Sequence, residues 1–403
     1  MSINLSPEQK CAFELFGQEN IFLTGGAGTG KTTLLKTMIE SGRDGLFVTA
    51  STGIAALAIG GSTLHAFAGV GYGQGSIEDM VSMIRKNKRT LARWNSCRIL
   101  IIDEISMVSG EFLDRINEIA KAVRFNSAPF GGINVCFSGD FLQLPPVKAE
   151  IYAFQSNAWK ELSLHVFNFE NVFRQENAEF VKILNELRYA KISPLSILKL
   201  QDRLVEPDPC AINLVPTNSE ADEINDRKLD ELAGEEYSWK AEDKFDSESH
   251  HEQLKKICLA PEILTLKVGA RVMLLTNLDL YNNLANGSLG TVISLTGPIV
   301  KFDQTELPIC VRSHSFELKQ GNDIMASRDQ LPLRLAWAIT IHKSQGMTLH
   351  KVNISIGACF EKGQAYVALS RASTLEGLTI KTFSPGAVKV SRSVVEYYRG
   401  LRK

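Results

Sequence analysis

The chain contains no CxxC pair. Its seven cysteines, Cys11, Cys97, Cys136, Cys210, Cys258, Cys310 and Cys359, are scattered over 403 residues. That scatter argues against a zinc site and for reduced thiols used as small core residues. No apolar run approaches the roughly eighteen residues of a membrane-spanning helix, so no membrane partner is expected. The opening "MSINLSPEQKCAFELF" lacks a basic stretch followed by an apolar one, so no secretory leader is expected and a cytoplasmic location is. No repeat of solenoid length is visible. The net charge is only −1, which excludes a global basic field but leaves room for a narrow groove lined by neutral donors. What remains is the balance of a globular protein, 44% apolar and 22% charged. The length is enough for two to four domains.

Short apolar runs alternate with helical spacing through the first part of the chain. "NIFLTG" (20–25), "GLFVTA" (45–50), "CRILIIDE" (97–104) and "INVCFSGD" (133–140) each end in glycine or polar residues and read as buried strands. "KTTLLKTMIES" (31–41) and "GEFLDRINEIAKAVRF" (110–125) read as helices. Such alternation predicts a parallel sheet whose ligands sit at the C-terminal strand edge. The stretch 68–94 departs from this pattern, glycine-rich and then basic, and is expected to be a small excursion. A second α/β region is expected from about Val172, with a strand and helix in "INLVPTNSEADEIN" (212–225). Between about 240 and 325, closely spaced strands with turn residues suggest an inserted small β-barrel, after which the α/β pattern resumes.

The segment "GGAGTGKT" (25–32) fits GxxxxGK[ST] and lies between a predicted strand and a predicted helix. Its backbone, including Gly26, Gly28, Thr29 and Gly30, is suited to wrap a β-phosphate at a helix N-terminus. Lys31 is expected to neutralise β/γ oxygens and Thr32 to ligate Mg²⁺. "LIIDEIS" (100–106) supplies an acid pair: Asp103 for the metal and Glu104 to orient and deprotonate water. A glutamate beside the metal-binding acid favours hydrolysis over transfer to a substrate. Gln9 offers a carboxamide that matches the N6/N7 edge of adenine. Arg174 in "VFRQ" and Arg371 in "ALSRA" are candidates for stabilising charge on the γ-phosphate, provided across a cleft.

In order, "GGAGTGKT", "LIIDEISM", "FGGINVCFSGDFLQLPPV", "VFRQ", "TIHKSQGMTL" and "YVALSRAST" resemble the motifs of the Pif family of superfamily 1 DNA helicases, from about Leu5 to Leu378. The resemblance implies an α/β fold: two RecA-like P-loop NTPase domains with ATP between them and single-stranded DNA across their top. The first domain would hold residues 1–67 and 95–168, with a wedge insertion at 68–94. The second would hold 169–239 and 326–403, with an SH3-like β-barrel insertion at 240–325. It implies Thr33 as a phosphate contact, Gln143 of "GDFLQLPP" as a γ-phosphate coupler and Arg174 and Arg371 as the arginine pair. It also implies 5′-to-3′ movement, with tailed duplex, G-quadruplex and RNA–DNA hybrids as substrates, by a monomer on DNA. Many relatives carry long N- and C-terminal extensions not seen in these residues, so the resemblance carries no expectation of organelle targeting.

With that frame the polar residues at strand ends acquire a reading as a DNA track. Thr340, His342, Lys343 and Ser344 follow a predicted strand into a turn, where side chains and N–H groups can meet phosphate oxygens. Gln345 and Gly346 would turn back toward the nucleotide. Ser51, Thr52 and Gly53 occupy another strand end, His65 and Phe67 add a ring for base stacking, and Thr217 and Asn218 complete the track. Isolated histidines and threonines in such places more often cap helices or fill cores; it is their repetition at strand ends that favours the track. The rival readings are a P-loop ATPase that remodels proteins, a nucleic-acid-binding module without catalysis, and a RecD-like enzyme of the same superfamily.

Overall fold

The computed structural model describes residues 5–71, 75–146, 149–175, 177–276, 278, 284, 287–303, 305–320 and 323–401. Residues 72–74 of the glycine-rich excursion lie outside the described residues. The chain divides into two compact units. The first comprises Met1–Arg174, Lys319–Asp323 and Val390–Lys403; the second comprises Gln175–Leu318 and Ile324–Lys389.

The first unit is built on six parallel strands: β1 (Asn20–Gly25), β2 (Leu46–Ala50), β3 (Ser62–Thr63), β4 (Ile99–Asp103), β5 (Asn134–Ser138) and β6 (Leu164–Phe169). Their spatial order is β3-β2-β4-β5-β1-β6. Central strands of such a sheet are covered on both faces, so they read as continuous apolar runs rather than alternating ones. β4 is buried at all five positions. On one face Ile21, Leu23, Ile99, Ile101 and Cys136 pack with Leu34, Leu35 and Met38 of the helix Lys31–Glu40. This core fixes the loop between β1 and that helix at the sheet's C-terminal edge.

Residues 76–96 form two short helices, Ile77–Lys86 and Lys88–Ser96, which pack against the helix Gly110–Arg124. Trp94 is wholly buried and donates its indole N–H to Ala68 O at 3.1 Å, which pins the excursion to the first unit. Lys86, Lys88 and Arg89 remain exposed.

In the second unit four parallel strands, β7 (Ile212–Val215), β18 (Ala338–Thr340), β19 (Val352–Ser355) and β20 (Leu378–Thr382), run in the order β18-β7-β19-β20. Between β7 and β18 the described strands pair antiparallel. A two-stranded sheet pairs β8 (Tyr237–Lys240) with β10 (Ile263–Leu266). A three-stranded sheet joins β9 (Glu242–Phe245), β16 (Asp323–Gln330) and β15 (His314–Gln320). Five strands follow the order β14-β13-β12-β11-β17: Ile309–Cys310, Ile299–Phe302, Leu289–Ser294, Arg271–Leu274 and Leu333–Leu335. Val272, Val292, Val300 and Phe302 are fully buried and form the centre of this insertion's own core. Among the described residues no helix is long and apolar enough to cross a membrane.

The helix Arg392–Gly400 departs from the expected boundary. Sequence order placed 326–403 in the second domain, whereas this helix belongs to the first unit, where Tyr398 is buried against β1 and the segment after β5.

Candidate active site

The phosphate loop depends on glycines in the left-handed region. Gly25, Gly28 and Gly30 have φ of 141°, 80° and 81°. A Cβ on Gly25 would lie 2.4 Å from Phe169 O, and one on Gly30 would lie 2.8 Å from Gln9 Nε2. Thr29 turns its hydroxyl inward to Gly26 O at 2.9 Å. Lys31 Nζ donates to Gly25 O at 2.8 Å and Gly26 O at 2.9 Å, so its ammonium is held by the mouth of the loop, where a phosphate can take over these bonds. Thr32 and Thr33 are the next residues of the helix that begins at Lys31.

Gln9 is buried and sits at the third position of the helix Pro7–Leu15. Its Oε1 accepts from Ser6 N at 3.0 Å, while Ser6 Oγ accepts from Gln9 N at 3.2 Å, a reciprocal capping box. Its Nε2 points to Thr29 O at 3.5 Å. The carboxamide thus joins its own helix cap to the phosphate loop, and adenine would have to displace one of these bonds to use it. Phe173 N donates to Gly28 O at 2.7 Å, which lays the "VFRQ" segment along the loop and puts Arg174 in the same unit as Lys31.

Asp103 ends β4 and is buried. Burial pushes its carboxyl above the ordinary range; the nearby Ser138 hydroxyl, the Glu104 amide and the Lys31 charge pull partly back. A buried carboxylate under that penalty is one that a cation relieves. With the Thr32 hydroxyl it offers the hard oxygen donors that suit magnesium. Glu104 has φ 51° and ψ 45° and opens a 3₁₀ turn, Ile105–Met107. A non-glycine residue there costs about 1 kcal/mol or more, and strain of this kind gathers at functional sites. Gln143 is buried beyond β5, with its Nε2 3.4 Å from Asp140 Oδ2. Because β5 lies between β1 and β4, the structure brings Lys31, Thr32, Asp103, Glu104, Gln143 and Arg174 to one edge of one sheet.

Arg371 and Gly346 lie in the second unit. Arg371 is buried; it donates from Nε to Val367 O at 2.9 Å, from one terminal nitrogen to Ser370 Oγ at 2.9 Å, and from the other toward Ser344 O and Met347 O, each 3.4 Å away. To meet a phosphate its guanidinium would exchange some of these bonds. Gln175 Nε2 donates to Ala372 O at 2.9 Å and Ser370 O at 3.3 Å, holding the arginine's own turn.

The proposed DNA track is met unevenly. Thr217 caps the helix Asn218–Asp230 through Glu220 N at 3.3 Å, and both Thr217 and Asn218 are exposed at the end of β7. β18 ends beside it at Thr340. His342 and Lys343 are half-buried, and His342 Nε2 is 3.1 Å from Glu361 Oε2. Burial, and then the charge of Arg334, lower the Lys343 pKa, while Asp222 opposes them. Arg334 is itself lowered by burial. Sequence reading did not single out Arg334, which sits in the strand Leu333–Leu335, six residues before the "TIHKSQGMTL" motif. In the first unit Thr52 Oγ1 accepts from Ala55 N at 3.2 Å, Gly53 begins the helix Gly53–Ala58, and Ser51 N donates to Asp103 O at 3.1 Å. His65 stacks on Phe112 with centroids 4.0 Å apart, and burial lowers its pKa.

Three residues of the expected track do not present side chains for binding. Phe67 is 1% exposed and packs on Trp94 at 5.0 Å and Phe47 at 5.5 Å, so its ring is core and unavailable to a base. Ser344 is wholly buried, its hydroxyl donating to Ile341 O at 2.7 Å. Thr340 is buried, its hydroxyl accepting from Lys343 N at 3.2 Å. The last two shape the turn that carries His342 and Lys343. The Ser51 hydroxyl is also buried and has no hydrogen-bond partner.

A glycine loop at a helix N-terminus, with an acid pair two strands along the same parallel sheet, defines the P-loop nucleotide-binding class. The chain matches the PIF1-like helicase family over residues 4–194 and the DNA helicase Pif1 2B domain over residues 250–295. It is 40% identical to the ATP-dependent DNA helicase PIF1 of Xenopus laevis over 421 residues, covering all of this chain and 65% of that protein. With the Emericella nidulans relative it shares 36% identity, over 95% of this chain and 61% of that protein. The chain thus spans less than two-thirds of the length of these relatives. Among solved structures, Candida albicans Pif1 superposes with a TM-score of 0.82 at 39% identity, over 99% of this chain and 100% of that one. Bacteroides Pif1 does so at 0.85 in complex with ADP-AlF4 and at 0.71 bound to ssDNA, at 31% identity, over 100% of this chain and 98% of each of those. The chain belongs to the PIF1-like helicase family, which sets aside the RecD-like alternative.

Proposed function

We propose that this chain is an ATP-dependent helicase that moves 5′ to 3′ on single-stranded DNA and unwinds tailed duplexes, with G-quadruplex and RNA–DNA hybrid structures as further substrates. One contact carries the reading. Ser51, at the head of the 51–53 segment, donates its amide to the carbonyl of Asp103 at 3.1 Å. That bond continues the β2–β4 ladder, so the 51–53 segment leaves the sheet beside the strand end that carries Asp103. The relatives support the two ligands: Bacteroides Pif1 is known in complex with ADP-AlF4 and bound to ssDNA.

In this reading Lys31 leaves the loop carbonyls for the β/γ-phosphates of ATP. Thr32 and Asp103 hold Mg²⁺, which when bound neutralises charge on the phosphates. Glu104 orients and deprotonates water, and Gln143 senses the γ-phosphate. Arg174 and Arg371 stabilise charge on it. On the DNA side, Thr52, Gly53, Thr217, Asn218, His342 and Lys343 supply a sequence-tolerant set of donors, with His65 on the same track. We further propose that the active species on DNA is a monomer in the cytoplasm, associated with the nucleoid. One related structure is described as two coordinating Pif1 helicases at forked dsDNA, which makes a dimer the outcome to watch for.

The test is unwinding of matched duplexes carrying a 5′ or a 3′ single-stranded tail, with ATP and magnesium. The 5′-tailed duplex should open and the 3′-tailed one should not. Opening of the 3′-tailed duplex alone would reverse the polarity, and opening of neither would remove the helicase reading. Protein remodelling is the rival; it leaves the donors at the ends of β7 and β18 without a role.

A further inference from the structure

The helix Arg392–Gly400 reaches the first unit from the far end of the sequence and buries Tyr398 to 1% exposure. The Tyr398 hydroxyl lies at a junction. It donates to Asp140 Oδ1 at 3.2 Å, accepts from Phe141 N at 3.2 Å, and pairs with Thr24 Oγ1 at 2.6 Å. A phenol has one proton and two lone pairs, so all three contacts are satisfied together if Thr24 donates. Thr24 is the residue before Gly25, where the phosphate loop begins. Asp140 receives Leu142 N at 3.1 Å and faces Gln143 Nε2 at 3.4 Å. Its neighbour Tyr397 stacks on Phe154 with centroids 4.3 Å apart, which fixes the helix independently of the hydroxyl.

We propose that Tyr398 is a positioning residue for ATP hydrolysis, its hydroxyl keeping Gln143 in register with the phosphate loop. The proposal rests on the reading of Gln143 as the γ-phosphate coupler. Tyr398 acts through Thr24 on one side and Asp140 on the other. Phenylalanine preserves the ring and its packing while removing the hydroxyl that bonds to both Thr24 and Asp140; the backbone bond from Gly139 N to Leu23 O at 3.1 Å stays in place.

The experiment measures ssDNA-stimulated ATP hydrolysis for wild type, Tyr398→Phe, Gln143→Ala, the double variant and Val394→Ala. Val394 is fully buried one turn before Tyr398 on the same helix and carries no polar side-chain atom, so its truncation reports packing alone. Tyr398→Phe is expected to lower kcat roughly five- to tenfold, the effect of about one buried hydrogen bond, with KM for ATP within about twofold of wild type. Added to Gln143→Ala it should lower kcat no further. Val394→Ala should lower the melting temperature more than Tyr398→Phe does, yet keep kcat below its transition. A wild-type kcat in Tyr398→Phe, full additivity with Gln143→Ala, or an equal kcat loss in Val394→Ala would each overturn the proposal. Absence of ATP hydrolysis in wild type would instead overturn the functional reading beneath it.

Discussion

Replacing Asp103 with asparagine should move two measurements in opposite directions. The carboxyl is buried at the end of β4, and desolvation dominates its environment despite the Ser138 hydroxyl, the Glu104 amide and the Lys31 charge. Its folded pKa is raised above the ordinary 3.8, so between that value and the folded one the native state binds more protons than the unfolded chain. Stability is therefore lost as pH rises through this window and stays lost at neutral pH. Asparagine removes the charge and keeps the shape. Relief of an unfavourable group of this kind yields about 0.5–2 kcal/mol. At roughly 2–4 °C per kcal/mol for a unit of this size, the nucleotide-free melting temperature at pH 7 should rise by about 1–8 °C. The gain should shrink as the pH falls through the raised folded value and below the unfolded 3.8, where the carboxyl is protonated in both states. Turnover should fall by roughly two orders of magnitude or more, because a metal at the phosphates supplies several kcal/mol of charge stabilisation. Magnesium with a non-hydrolysable ATP analogue should stabilise wild type more than the variant. Scanning calorimetry at two pH values and a coupled ATPase assay read both effects. A variant less stable than wild type at neutral pH would refute the claim that this carboxylate is held at a cost for the metal.

Glu104→Gln should retain ATP and DNA affinity, measured by fluorescence anisotropy, while losing turnover; retained turnover would remove Glu104 as the activator of water. Replacing His342 and Lys343 together with alanine should weaken ssDNA binding by about tenfold and flatten its salt dependence, with basal nucleotide affinity unchanged. Collapse of ATP affinity in that variant would assign the 341–346 turn to the nucleotide site.

The parts legible in the sequence are those governed by local rules. β1, β4 and β5 read clearly because they are apolar and buried along nearly their whole length and run into glycine or acid at the ligand edge, while β2 read as an apolar run although only Thr49 and Ala50 are buried in it. The phosphate loop and acid pair read because their spacing is set by the chemistry. β6 gave no such signal: it is an edge strand, with only Phe169 buried along Leu164–Phe169. Phe67 was misplaced because a ring beside a strand-end histidine has the same spacing whether it faces solvent or core; only its packing on Trp94 decides. Ser344 and Thr340 follow the same logic, with short polar side chains spent on their own turn. Tyr398 was invisible for another reason: its partner Asp140 is 258 residues away, and no local pattern encodes a contact of that range.

The central claim is that nucleotide hydrolysis on the first unit is coupled to a DNA strand. The most direct test is the rate of ATP hydrolysis with and without a single-stranded oligonucleotide, using Lys31→Ala as the control. Strong stimulation by the oligonucleotide, abolished by the substitution, is the predicted result. Hydrolysis by wild type at the same rate with and without DNA would contradict the account and point to a protein substrate instead.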